Sequence, residues 1–361
     1  VLALCWTPKF LLKTNLIYIV NFAQNIIMLM LAVNFLTDEQ RIKQFFYILA
    51  AGNVLVILFF LIQSIAGSQG IALMGVSEFE ISSRTEKNAR LLGPFAASQA
   101  GVTYLVIQSM FCLYALLTFV RKFWDRIFWS LLLVLNTGLL IGTGTRSGFL
   151  GFCLALIFMF VFLSFSLGFG KSLKIFAIGV LTLGLMGFAV IKYTKYNVMF
   201  ERLMSTEVEG LEVDSRKGLI PLYWDQIVKR PIFGSRPMHA IPDYLLESSG
   251  LTTKFSNVFI ASSPHNFYVY TLFTTGFIGL FAHLLFFFIL LLYLLKAKSL
   301  WDYKTKELKG LPFLFISVFV FFLIMQLFIS YTRFSLSDFQ DYLFTVFGMF
   351  ISTYLIPKKD K

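Results

Sequence analysis

A succession of long apolar segments constrains this sequence more than any other feature. About nine of them approach the ~20 residues that a helix needs to cross a bilayer. They cover residues 10–36, 44–66, 98–120, 127–145, 147–169, 174–191, 266–295, 311–331 and 339–356. Because a backbone in lipid must satisfy its own hydrogen bonds, such repeated segments predict an all-α polytopic membrane protein.

Composition agrees with this class. Hydrophobic residues make up 58% of the chain and charged residues only 14%, whereas soluble domains are less apolar and more charged. The formal net charge of +12 is also typical of nucleic-acid-binding proteins. The basic residues, however, gather in short connections between apolar segments, which indicates membrane lipids rather than nucleic acid as their surroundings.

The basic connections alternate along the chain and therefore predict the topology. Lysine and arginine follow the first, third, fifth and seventh segments and the last one, which makes these connections cytoplasmic. The prediction divides the chain into transmembrane helices at 1–191, an extracytoplasmic loop at 192–265, and three further helices with a cytoplasmic tail at 266–361. The same alternation puts residue 1 outside the cytoplasm, so we expect that the first spans of the bundle are missing from this sequence.

The only long polar insertion is the loop at 192–265, and three polar clusters lie on its side of the predicted membrane. The first is the turn Gly142-Thr143-Gly144-Thr145-Arg146-Ser147-Gly148. Backbone N–H groups at the start of a helix, hydroxyls and a guanidinium together can bind an anion. The alternative is a tight helical hairpin whose arginine merely reaches lipid headgroups.

The second cluster runs from Asp214-Ser215-Arg216 through Trp224 to the turn Gly234-Ser235-Arg236-Pro237. Apolar residues at 219–228 recur at helical spacing, which predicts an amphipathic helix on the membrane surface that ends at Pro231 and Gly234. A purely structural interfacial helix, with Trp224 in the aromatic belt, explains the same pattern.

The third cluster is His265-Asn266 at the start of the seventh segment. His265, Tyr268, Thr275 and Gly279 fall near one helical face, and Gly276 and Gly279 would allow a neighbouring helix to approach. The alternative is that His265 is a polar cap at the interface.

The three histidines divide by position. His283 lies 27 Å from His265 along a straight helix, at about 1.5 Å per residue, which predicts that it lies near the opposite leaflet. Only His239 and His265 would then share the outer site.

The order of these clusters resembles the superfamily of O-antigen ligases and Wzy-type polymerases, which assemble bacterial surface glycans. The resemblance covers roughly residues 90–345 and depends on order and topology, since no single motif is specific. The matching motifs are Arg90-Leu-Leu-Gly93-Pro-Phe95, Gly142-Thr-Gly-Thr-Arg146-Ser-Gly148, Ser215-Arg216 with Trp224, Arg230-Pro231-Ile-Phe-Gly234, Pro264-His265-Asn266-Phe-Tyr268 and Thr275-Gly-Phe-Ile-Gly279.

The resemblance implies a GT-C-like helix bundle in the bacterial cytoplasmic (inner) membrane, with its active site on the periplasmic or extracellular face. The implied donor is a glycan linked to undecaprenyl pyrophosphate, and the acceptor is a hydroxyl of a sugar or of a lipid core. The acceptor oxygen would attack the anomeric carbon while pyrophosphate leaves.

On this interpretation Arg146 and Arg216 neutralise the leaving pyrophosphate, and His265 removes the acceptor proton. No metal and no other cofactor is expected. The expected substrate-binding residues are Arg90, Thr145, Ser147, Trp224, Arg236, His239, Asn266 and Tyr268.

Two other functions fit the same residues. A transporter or flippase of lipid-linked anionic glycans would also need arginines in a cavity, although its charges would be expected near mid-membrane and its halves related by a repeat. A protein O-oligosaccharyltransferase would share the donor and differ in acceptor. Nothing in the sequence decides among ligase, polymerase and protein-glycosylating enzyme.

Overall fold

The computed structural model describes residues 12–36, 38–73, 91, 93–94, 98–193, 221, 223–234, 266–304, 308, 310–327, 346, 348 and 351. Regular structure within these ranges is entirely helical, which confirms the all-α prediction.

Long helices account for most of the described residues. They are α1 Leu12–Phe35, α2 Glu39–Leu73, α3 Ser98–Thr118, α4 Phe123–Gly142, α5 Arg146–Leu167, α6 Phe169–Tyr193, α8 Phe267–Lys304 and α9 Leu311–Met325. A short helix at 223–229, here α7, lies in the predicted loop.

Six of the described helices are long and apolar enough to cross a membrane, and the protein is therefore a polytopic membrane protein. These six correspond to the second through seventh predicted segments. The first and eighth predicted segments contain the shorter apolar stretches Ile26–Phe35 and Leu311–Met325. The ninth lies largely outside the described residues, so a total of nine spans stays a prediction.

Several helices begin or end beyond the predicted limits. Lys171 was expected in the connection between the fifth and sixth segments, but it lies inside α6, which begins at Phe169. Similarly, α8 continues through Lys296 to Lys304. The reason is physical: a lysine at a helix end can extend its ammonium group to the membrane interface, so a charged residue does not have to end the helix.

The chain divides into two compact units. The first comprises Val1–Met28, Glu207–Leu290 and Leu323–Phe344; the second comprises Leu29–Thr206, Leu291–Phe322 and Thr345–Lys361.

In the second unit α3 is the central helix, because it contacts α2, α4, α5 and α6. In its apolar window Gly101–Thr118, 83% of the residues are buried, compared with 28% in the window of α2. Aromatic side chains fill the space beside it: Phe46 of α2 packs edge-on against Phe111 and Phe119 at ring-centroid distances of 5.3 and 5.5 Å. The other helices thus shield α3 from lipid.

Several hydroxyl groups inside these apolar helices donate to carbonyls of their own helix. Ser109 and Thr137 donate to the carbonyl four residues earlier, each at 2.8 Å. Such bonds remove the cost of an unpaired donor in a medium that contains no water.

Candidate functional site

Only some of the predicted site residues lie in the part of the chain that the structure describes. Arg90, Arg216, Arg236, His239 and His265 lie outside the described residues. The backbone of Arg146 and Ser147 forms the first turn of α5, whereas Thr145, Trp224, Asn266 and Tyr268 are described with their side chains. Arg146 belongs to the second unit and Asn266 to the first.

In the second unit, a connection of three residues, 143–145, separates α4 from α5. Thr143 closes α4 by donating its backbone N–H to the carbonyl of Leu139 at 2.9 Å, and Gly144 takes a positive φ of 64°. Thr145 is extended and makes no side-chain cap of α5. Arg146 therefore starts a helix without side-chain capping from Thr145, a geometry that favours an anion at the first N–H groups.

A segment from the preceding connection packs against this turn. The N–H of Leu91 donates to the carbonyl of Gly142 at 3.2 Å, and a Cβ on Gly142 would lie 2.7 Å from the Leu91 side chain. Since Arg90 directly precedes Leu91, the structure joins the backbones of two predicted motifs. This pairing could not be predicted from the sequence, because 50 residues lie between Leu91 and Gly142.

A second hydrogen bond fixes the same connection at Gly93. The N–H of Gly93 donates to the Oε1 atom of Gln63 at 2.8 Å, deep in the unit. Gly93 has a positive φ of 63°, and a Cβ there would lie 2.5 Å from the ring of Phe60. Gln63 is a residue that sequence reasoning missed, since a lone glutamine in an apolar segment gives no sign of its partner.

In the first unit, α7 buries one of its faces, although not all of the apolar residues that were predicted to share it. Tyr223 and Ile227 are buried, and the Tyr223 ring meets Phe273 of α8 edge-on at 4.9 Å. Trp224 is 51% exposed and Val228 is 61% exposed. The helix ends before Pro231, as predicted, and leads into the turn at 231–234.

That turn docks directly on the backbone of α8. The N–H of Phe277 donates to the carbonyl of Pro231 at 2.8 Å, and the N–H of Ile278 donates to Ile232 at 3.3 Å. A Cβ on Gly234 would lie 2.5 Å from the carbonyl of Thr274. The sequence interpretation of Gly276 was therefore wrong in one respect, since the close neighbour is this turn and not a helix.

Gly276 interrupts α8. Its φ of 66° and ψ of −166° are not helical, and a Cβ there would strike the carbonyl of Ile232. We call residues 267–275 the short arm and residues 277–304 the long arm. The long arm alone measures about 40 Å, enough to cross a bilayer, so 266–295 is not one straight span.

The two arms fold back on each other. A straight helix would separate Phe267 from His283 by about 24 Å, yet their ring centroids are 4.7 Å apart. The prediction that a straight helix separates His283 from the start of the seventh segment is wrong, because the break at Gly276 returns it to the start of the short arm.

Asn266 caps the short arm. Its Oδ1 atom accepts the N–H groups of Tyr268 and Val269 at 3.0 and 3.1 Å. The hydroxyl of Tyr268 donates to the carbonyl of Leu323 at 2.9 Å. Both side chains thus fix the first turn, and their predicted contact with substrate stays a prediction.

Among the residues that the structure describes, no group of three or more histidine, cysteine, aspartate and glutamate side chains could hold a metal ion.

Comparison with known proteins tests the resemblance that these motifs suggested. No curated protein matches the chain. A family model described as O-Antigen ligase matches residues 131–284, a range that includes the Gly142–Gly148 turn, the docked turn at 231–234 and the break at Gly276. This match confirms the resemblance to the O-antigen ligase and polymerase superfamily and supports an O-antigen ligase/polymerase-like enzyme in a membrane.

Proposed function

We propose that this protein transfers or polymerises a glycan carried on undecaprenyl pyrophosphate, with an acceptor hydroxyl on the outer face of the bacterial cytoplasmic membrane. The observation that carries the proposal is the extent of the family match. It runs from 131 to 284 and so includes Arg146, Arg216 and His265 in one stretch of similarity.

The roles follow from the charge that moves in the reaction. The acceptor oxygen forms a bond to the anomeric carbon, the bond from that carbon to the pyrophosphate oxygen breaks, and the acceptor proton passes to His265. Negative charge grows on the departing lipid pyrophosphate. Arg146 and Arg216 offer planar, permanently charged groups that can each donate two hydrogen bonds to it.

The remaining predicted residues would hold the two substrates. Arg90 precedes the segment that packs on Gly142, which favours a role beside Arg146. Thr145 and Ser147 flank that arginine. Trp224 is exposed on α7 and could stack on a sugar, whereas Arg236, His239, Asn266 and Tyr268 would contact donor or acceptor.

A transfer assay with purified protein tests this function. We expect a defined polyprenyl-pyrophosphate glycan and an acceptor to yield glycosylated or elongated product, with release of polyprenyl pyrophosphate. Product should form equally in excess EDTA, since arginines neutralise the leaving group.

Three results would contradict the proposal. Movement of the lipid-linked glycan between leaflets without product would favour a flippase, and transfer only to a protein hydroxyl would favour an oligosaccharyltransferase. Loss of turnover in EDTA, restored by Mg²⁺ or Mn²⁺, would remove Arg146 and Arg216 as the leaving-group clamp.

The proposed location of the site predicts the accessibility of single cysteines. In a variant without Cys5, Cys112 and Cys153, we expect an impermeant thiol reagent to label Lys217→Cys in intact cells but to label Lys304→Cys only after permeabilisation. The basis is the alternation of basic connections. The reverse pattern would overturn the proposed orientation.

A further inference from the structure

His283 has a part-buried position that the proposed reaction does not use. It lies on the long arm, packed between two aromatic rings at the point where the arms meet. Its ring centroid is 4.7 Å from Phe267 of the short arm and 4.5 Å from Phe287 of its own helix. An imidazole placed among phenylalanines in an apolar helix costs desolvation, so its polar contact must be accounted for.

That contact is with Gln326, directly after α9. The Nε2 atom of His283 lies 3.3 Å from the Oε1 atom of Gln326. An amide oxygen only accepts, so this contact holds the tautomer that carries its proton on Nε2.

Gln326 in turn holds the short arm. Its backbone carbonyl accepts the N–H of Phe267 at 2.9 Å, and one turn earlier Leu323 accepts the hydroxyl of Tyr268 at 2.9 Å. The first turn of the short arm is therefore fastened to the end of α9 at two consecutive residues. Asn266, which caps this turn, is directly preceded in the chain by His265.

We propose that His283 is a positioning residue: through Gln326 and Phe267 it fixes the first turn of the short arm and thereby the backbone from which His265 extends. The inference rests on the proposed role of His265 in transfer. The imidazole combines two properties that the site needs. Its ring fills the space between Phe267 and Phe287, and its N–H group orients the Gln326 amide.

Two substitutions separate these properties. His283→Phe keeps a ring of similar size and removes the donor, whereas His283→Gln keeps a donor and removes the ring. A misplacement of ~1 Å can cost about 10²-fold in rate, so we expect His283→Phe to lower kcat by about 10–100-fold. The KM for the donor should stay unchanged, because the substitution does not alter the contacts that bind the donor equally in the ground state and in the transition state. His283→Gln should recover most of the lost rate.

Hydrogen exchange tests the same inference without any substrate. In nanodiscs, His283→Phe should accelerate exchange of the amides of Phe267, Tyr268 and Val269 and leave those of 223–229 unchanged. If the wild-type protein transfers no glycan, the proposed function fails while this measurement still decides the role of His283. Unchanged exchange in His283→Phe, or a His283→Gln enzyme as slow as His283→Phe, would overturn the role proposed for the His283 N–H.

Discussion

Replacing His265 by alanine is expected to lower the rate of glycan transfer by about 10²–10⁴-fold, the usual contribution of a positioned general base. Imidazole is the side chain whose charge ordinarily changes near neutral pH, so it can take the acceptor proton and release it again. His265 also precedes a turn that is fixed by Asn266 and by the end of α9. The protein should still insert in the membrane, because long apolar helices, and not a single polar side chain, direct insertion.

His239→Ala is the comparison that separates a general base from a histidine expected only to bind substrate. His239 lies in the same predicted outer loop but outside the motif at the start of α8, and we expect a loss below tenfold, which is about 1.4 kcal/mol or less. The measurement compares initial transfer rates at equal amounts of membrane-inserted protein. Near-normal turnover of His265→Ala, or an inactive His239→Ala variant, would move the base away from His265.

The membrane helices could be predicted because one physical requirement determines them. A segment in lipid must bury its backbone polar groups within itself and must be about 20 residues long, and both conditions are visible in a single sequence. Six predicted segments, from α2 to α6 and in α8, accordingly appear as helices of sufficient length and apolar character.

The break in α8 could not be predicted in the same way. The run Leu272-Phe273-Thr274-Thr275-Gly276-Phe277 is apolar enough to continue a helix, and a glycine inside a helix usually costs only ~1 kcal/mol. What forces the break is a partner more than 40 residues upstream, the turn at 231–234, whose carbonyls take the N–H groups of Phe277 and Ile278. The sequence did contain a signal, namely the two glycines Gly234 and Gly276. Gly234 was interpreted as the end of a helix and Gly276 as a site where a neighbouring helix approaches.

The error about His283 has the same origin. Its distance from His265 was obtained from helical rise, which is valid only for an unbroken helix. With the break at Gly276, the residue returns to Phe267 and Gln326. Tertiary contacts of this kind, like that between Leu91 and Gly142, depend on the path of the whole chain and not on local pattern.

Gly276→Ala is expected to be strongly destabilising. The φ of 66° and ψ of −166° at this residue lie in a region that is essentially restricted to glycine, where other residues pay about 1–3 kcal/mol. The new methyl group would also strike the carbonyl of Ile232 and come within 2.6 Å of the Gly234 nitrogen. Crowding of this kind costs a further ~1–3 kcal/mol. The variant should therefore unfold at a clearly lower denaturant concentration and lose transfer activity.

Gly184→Ala provides the control, since it makes the same chemical change inside α6 where a Cβ would meet nothing within 4 Å. There alanine replaces a residue that is unfavourable in a helix by about 0.8–1 kcal/mol, so stability should stay equal or rise slightly. Unfolding of both variants in mixed micelles, followed by helical signal, gives the comparison. The docking of the turn at 231–234 on Gly276 explains a large difference between the two variants. Equal midpoints would mean that this turn does not lie against α8, and both the reversal of the arms and the position of His283 beside Phe267 would lose their structural basis.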